Sequence, residues 1–180
     1  MVIDKQLKKK NLHLKEKLKK IKVVLTDNDG VLTDTGVYFS TKGEEFKRFS
    51  IRDGMGIERL RKYAGIETII ITGEESGSVR ARAEKLKIKE YYLHVNKKEE
   101  ILSGIMKKNN VTPEEIAFIG DDSNDFELMK LIGFKVTPAD GMNFIKEICD
   151  YVCENKAGFG AFRELAELIL AFQYKPDSGK

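Results

Sequence analysis

The chain has 180 residues, of which 41% are hydrophobic and 34% charged, enough for one sizeable core but short for two domains. No run of 18 or more apolar residues appears, and the lysine-bearing N-terminus lacks the apolar stretch of a secretory signal, so a cytoplasmic protein without a membrane partner is expected. Only Cys149 and Cys153 are present, with no second Cys/His pair nearby, which supports neither a disulfide framework nor a zinc site and leaves packing as their role.

The formal charge of +3 is uneven: residues 1–22 carry nine lysines against Asp4 and Glu16, a local +7, so the remainder sums to −4. Residues 1–20 read as a basic helical arm, with Leu7, Leu14, Leu18 and Ile21 spaced as one apolar stripe and the lysines solvated. No aromatic residue is interleaved for base stacking, so a nucleic-acid partner is not expected. From residue 21 to 174 short β-branched runs alternate with amphipathic stretches, the pattern of a parallel sheet wrapped by helices. The runs are 22–26, 67–72, 90–93, 116–119, 134–137 and 151–153. Between them, Ile57, Leu60 and Ala64 fit one helix face, and Ile101, Leu102, Ile105 and Met106 another. Thr112-Pro113-Glu114-Glu115 predicts a capped short helix before the fourth run. Residues 37–49 break the alternation and read as a β-hairpin turning near Gly43. Residues 175–180 form a polar tail.

In open α/β sheets the ligand site lies beyond the carboxyl ends of the strands. There the sequence places Thr26-Asp27-Asn28-Asp29-Gly30, whose two carboxylates can share one side of an extended chain. It also places Thr72-Gly73, with a hydroxyl and a backbone open to an anion, and Gly120-Asp121-Asp122-Ser123-Asn124-Asp125. Lys98 stands near the start of a predicted helix over 98–108. Two carboxylates about 4 Å apart repel by roughly 4 kcal/mol at an effective dielectric of ~20, so Asp27, Asp29, Asp121 and Asp122 converge only around a cation. A hard divalent ion with oxygen ligands, Mg2+, fits that demand.

Taken in order, strand then D-x-D-G, strand then T-G, a lysine, and strand then G-D-D-x-x-D resemble the haloacid dehalogenase superfamily of phosphatases and phosphotransferases. Between about residues 20 and 170 the chain is similar to the capless sugar-acid phosphatases, typified by the 3-deoxy-D-manno-octulosonate 8-phosphate phosphatase family. The similarity lies in Asp29-Gly30-Val31-Leu32-Thr33-Asp34, Gly43-Glu44-Glu45, Arg52-Asp53-Gly54-Met55-Gly56-Ile57, Val136-Thr137-Pro138-Ala139-Asp140 and Ala157-Gly158-Phe159-Gly160-Ala161-Phe162-Arg163-Glu164.

The resemblance implies a Rossmann-like α/β fold and hydrolysis of a phosphorylated sugar acid. Asp27 would be the nucleophile and Asp29 the general acid and base, its pKa raised by nearby anions. The carboxylates of Asp27 and Asp121 and the backbone carbonyl of Asp29 would hold Mg2+, with Asp122 acting through water and Asp125 orienting Lys98 or a metal-bound water. Thr72, Gly73 and Lys98 would bind the phosphoryl group. Only 44 residues separate Asp27 from Thr72 and 25 separate Thr72 from Lys98, which leaves no room for a cap domain. The resembling family covers the site by forming homotetramers, and the 37–49 hairpin is the expected contact.

Two features depart from the family pattern. Glu74 stands where octulosonate phosphatases usually carry arginine, and Glu74 with Lys85 resembles relatives acting on nine-carbon sugar acids, while Arg52-Asp53-Gly54-Met55-Gly56 resembles the eight-carbon branch. Arg52, Glu74 and Lys85 are therefore the candidate specificity residues. Lys97 precedes Lys98 where relatives often carry aspartate. Besides a phosphatase for another small sugar phosphate, the alternative is the non-catalytic oligomerisation module of cytidylyltransferases that activate sialic acids. Those modules often lose the nucleophile, whereas Asp27, Asp29, Thr72, Lys98 and Asp121 are all present here.

Overall fold

The computed structural model describes residues 5–174, so the anticipated polar tail lies outside the described residues. The basic segment opens with α1 (Lys5–Lys10), a 3-10 turn (Leu12–Leu14) and α2 (Lys15–Leu18). One continuous helix is not formed, because the Asn11 side chain donates to the Leu7 carbonyl at 2.9 Å and so competes with the helical ladder at that point. The apolar stripe nevertheless does what its spacing predicts: Leu14, Leu18 and Ile21 are buried and Leu7 packs partly against the same core.

The central strands follow as β1 (Val23–Thr26), then the hairpin β2 (Thr33–Ser40) and β3 (Gly43–Phe49), helix α3 (Ile51–Ala64) and β4 (Glu67–Ile71). Next come α4 (Gly77–Lys85), the short β5 (Tyr91–Tyr92), a 3-10 turn (Lys98–Ile101) leading into α5 (Leu102–Asn109), and β6 (Ile116–Ile119). The chain closes with α6 (Ser123–Leu131), β7 (Phe134–Thr137), α7 (Asn143–Lys146), β8 (Tyr151–Val152) and α8 (Ala161–Gln173). The anticipated capped turn before β6 is present as a 3-10 helix, Pro113–Glu115, with Thr112 N–H donating to the Glu115 carboxylate at 3.0 Å.

Six strands form one sheet in the order β5-β4-β1-β6-β7-β8, and every neighbouring pair is parallel. Side chains alternate across it, as the two-residue period of a strand requires. Val24, Ile70, Ala117, Ile119, Phe134 and Val136 face the layer of α3, α4 and α8, whereas Val23, Leu25, Ile69, Ile71, Ile116 and Phe118 face α5 and α6. Burial on both faces explains why these strands read as continuous apolar runs. The hairpin is a separate two-stranded antiparallel sheet that begins at Thr33, earlier than its aromatic residues suggest.

Helices α3 and α8 pack closely because Gly56 has no side chain: a Cβ there would lie 3.0 Å from the Arg163 Cα. Asp53 ties the same pair by accepting from Gly160 N–H at 3.1 Å and Arg163 N–H at 2.9 Å, at the start of α8. The R-D-G-M-G-I and A-G-F-G-A-F-R-E segments are thus two halves of one packing joint. No helix of the described residues is long and apolar enough to cross a membrane.

Candidate active site

Strand β1 lies between β4 and β6, where successive connections leave the sheet centre in opposite directions, and the candidate residues gather at that switch point. Thr26 is in register with Ile70 and Ile119, so Asp27, Thr72 and Asp121 all fall just beyond the same edge. Asp27 N–H donates to the Ile119 carbonyl at 2.9 Å, and Thr72 N–H donates to the Tyr92 carbonyl at 3.0 Å. Backbone pairing therefore holds each residue at the sheet while its side chain projects past it.

Lys98 is fully buried, and its ammonium lies 2.5 Å from Asp27 Oδ1 and 2.6 Å from Asp125 Oδ1. Burial alone pushes this lysine down, but the two carboxylates more than offset it and the ammonium ends above its ordinary value. Carboxylate oxygens of Asp27, Asp121 and Asp125 come within 4.8 Å of one another. Burial, followed by the charge of Asp125, pushes Asp27 up to about 7. Burial, followed by the charges of Asp27, Asp125 and Asp122, pushes Asp121 up to about 8. Three carboxylates against one ammonium leave two negative charges, which a divalent cation would neutralise.

The side-chain partners sort the acids. Asp125 already has both oxygens engaged, Oδ1 by Lys98 and Oδ2 by the Asp121 and Asp122 N–H groups at 2.8 and 3.4 Å. Asp121 Oδ1, by contrast, is buried without a hydrogen-bond partner, the state of a ligand atom awaiting a cation. The donor set therefore fits a hard divalent ion on Asp27 and Asp121. Gly30 makes the approach possible, because its φ is +98° and a Cβ there would lie 2.0 Å from Asp121 Oδ2. Asp122 stands apart from the carboxylate group as the N-cap of α6, its Oδ1 accepting from Ser123 N–H at 2.6 Å.

Around Asp29 the structure differs from the expectation that nearby anions act on it, because its side-chain partners are hydrogen-bond donors. Its Oδ1 accepts from Asn28 Nδ2 at 3.0 Å and Thr33 Oγ1 at 3.1 Å, and its Oδ2 accepts from the Lys47 ammonium at 2.6 Å. Lys47 arrives from β3, far enough along the chain that no local pattern announces it. The candidate phosphate side is simpler: Thr72 Oγ1 accepts Glu74 N–H at 3.2 Å, which leaves the hydroxyl proton to donate.

The three specificity candidates are not brought together as a set. Glu74 is exposed beside Thr72, whereas Lys85 is the exposed last residue of α4, about 12 Å along the helix axis from its first residue at 1.5 Å per residue. Arg52 is exposed at the start of α3 and lines a cavity with Asn155, Phe159 and Arg163.

A haloacid dehalogenase-like hydrolase profile matches residues 94–165. The chain is 39% identical over 162 residues to the 3-deoxy-D-manno-octulosonate 8-phosphate phosphatase of Haemophilus influenzae, covering 90% of this chain and 89% of that protein. It belongs to this phosphatase family. The Escherichia coli K12 relative of the same name is 37% identical over 164 residues, 91% of this chain and 87% of its own length. Among solved structures, the cobalt-bound H. influenzae phosphatase superposes with a TM-score of 0.85 at 39% identity, covering 87% of this chain and 91% of that one. The Moraxella catarrhalis phosphatase in complex with magnesium, phosphate and KDO gives 0.86 at 34% identity, covering 91% and 93%. As a member of the family the protein is a phosphoric monoester hydrolase with a haloacid dehalogenase-like fold, and the non-catalytic module is set aside.

Proposed function

We propose that the protein is a Mg2+-dependent, cytoplasmic phosphatase that hydrolyses 3-deoxy-D-manno-octulosonate 8-phosphate through an aspartyl-phosphate on Asp27. The observation that carries this reading is the buried Lys98 ammonium clamped between Asp27 and Asp125, beside the unpartnered oxygen of Asp121. One carboxylate is thereby held against a fixed ammonium, and once a divalent cation offset the two remaining negative charges the arrangement would suit a nucleophile meeting a phosphate dianion.

In the first half-reaction an Asp27 oxygen bonds to phosphorus while the bond from phosphorus to the sugar oxygen breaks, and Asp29 gives that oxygen its proton. In the second, Asp29 takes a proton from water as the water oxygen bonds to phosphorus and Asp27 is released with inorganic phosphate. Thr72, the Gly73 backbone and Lys98 hold the phosphoryl oxygens and balance their charge. Asp27 and Asp121, with the Asp29 carbonyl, would hold Mg2+, which when bound supplies the positive charge the phosphoryl group needs. Asp125 orients Lys98, and Asp122, capping α6, would act on the bound metal through water.

The names of the relatives favour the eight-carbon substrate. Glu74 favours a second reading, a nonulosonate 9-phosphate, because a carboxylate beside Thr72 suits hydroxyls or an amine where arginine would suit a carboxylate. Comparing kcat/KM for the two esters, with and without Mg2+, separates these readings. A clear preference for the eight-carbon ester is expected, and equal rates or no turnover of either would overturn the substrate assignment.

A homotetramer completes the site in this reading. Tyr38, Phe39 and Phe46 on the hairpin are 65%, 73% and 68% exposed, an apolar surface suited to a second copy of the chain. Sedimentation at assay concentration is expected to show the assembly, and an active monomer would refute it.

A further inference from the structure

Strand β3 is inverted in polarity. Phe46 points to solvent while Lys47, its neighbour, is the one buried residue of the strand. Lysine is almost never buried unless paired, and a buried ion pair is seldom more stable than an apolar pair of the same shape. An apolar side chain at position 47 would give an ordinary half-buried strand, so stability does not explain the lysine.

Its partners do. The Lys47 ammonium lies 2.6 Å from Asp29 Oδ2 and 3.2 Å from Glu44 Oε2. Glu44 Oε1 in turn accepts from Ser76 Oγ at 2.5 Å, and Ser76 is the N-cap of α4, the helix that follows Thr72 and Gly73. Asn28 and Thr33 hold the other oxygen of Asp29. A continuous polar chain thus runs from Asp29 through Lys47 and Glu44 to the helix that opens after the phosphate loop.

We propose that Lys47 is a positioning residue for Asp29: clamped by Glu44 and Ser76, it fixes the carboxyl group that hands a proton to the departing oxygen. The hairpin is then part of the reaction machinery as well as a surface. This inference rests on the reading of Asp29 as the general acid.

Leaving-group chemistry tests it. kcat/KM reports only the steps through departure of the leaving group, and nitrophenolate departs without a proton whereas a sugar alkoxide does not. In Lys47→Met, kcat/KM should fall for both 3-deoxy-D-manno-octulosonate 8-phosphate and p-nitrophenyl phosphate, but about tenfold further for the sugar ester, a fraction of the usual worth of general acid catalysis. Glu44→Gln, which loosens the far side of the clamp at a partly buried position, should show the same ester-selective loss at about threefold. Thermal melting identifies any variant that fails to fold, and if Lys47→Met does so, Glu44→Gln carries the test. Equal losses on both esters, or no loss, in a folded variant would overturn the positioning role. Wild-type protein inactive on both esters with Mg2+ would instead overturn the phosphatase reading of Asp29, and the role of Lys47 with it.

Discussion

Asp125 Oδ1 accepts a 2.6 Å hydrogen bond from the ammonium of Lys98, and neither side chain is exposed to solvent. The same carboxylate receives two backbone N–H groups from the loop that carries Asp121. One residue therefore aligns the lysine and shapes the acidic loop. Asp125→Asn forces an amide nitrogen against one of these donors, so kcat is expected to fall about 10²-fold with a smaller change in KM, the scale of losing one preorganised electrostatic contact. Steady-state kinetics on the folded variant check this.

Gly30 and Asp121 are coupled sterically. Gly30→Ala places a methyl group onto the Asp121 carboxylate and requires a left-handed backbone, at a cost of about 1–3 kcal/mol for the backbone alone. Mg2+ affinity measured by calorimetry should fall together with the melting temperature. Unchanged affinity would show that the carboxylate relaxes without loss.

Metal-free protein should become less stable as pH rises. The folded carboxyls of Asp27 and Asp121 titrate near 7 and 8, above the ordinary 3.8, so the folded state binds more protons than the unfolded state in that interval. Their protonation favours folding at low pH, and that contribution is lost as pH rises through about 7 to 8. With chelator, the melting temperature is expected to drop between pH 5 and 8, by about these two groups' share. Saturating Mg2+ should remove most of that slope, because the cation replaces the protons.

Away from the chemistry, Glu164 accepts from Tyr151 Oη at 2.6 Å, from the N–H groups of Glu154 and Asn155 at 2.8 and 2.9 Å, and from Asn155 Nδ2 at 2.6 Å. Glu164→Gln turns an NH2 group toward these donors and should destabilise the fold by about 1–3 kcal/mol. Denaturant melts should show this loss with Mg2+ affinity intact.

The central strands and the acids beyond them were legible in the sequence because a doubly covered parallel strand is a bare apolar run, and a metal-binding edge leaves carboxylates at its end. Strands β6 and β7 begin and end where those runs do. What depended on distant parts of the chain was not legible. Lys47 is one charge among several on the hairpin, and only the fold sets it against Asp29. Asp53 sat within a family-like motif but serves α8 across more than a hundred residues. Asn11 broke the arm through a hydrogen bond that the leucine spacing did not encode.

Catalysis as proposed passes the phosphoryl group through Asp27. Rapid acid quench of the wild-type enzyme turning over 3-deoxy-D-manno-octulosonate 8-phosphate with Mg2+, followed by borohydride reduction and peptide mass spectrometry, should find residue 27 converted to homoserine, the product of a reduced acyl phosphate. Phosphate release with residue 27 recovered as unmodified aspartate, or with the conversion at another carboxylate, would contradict it.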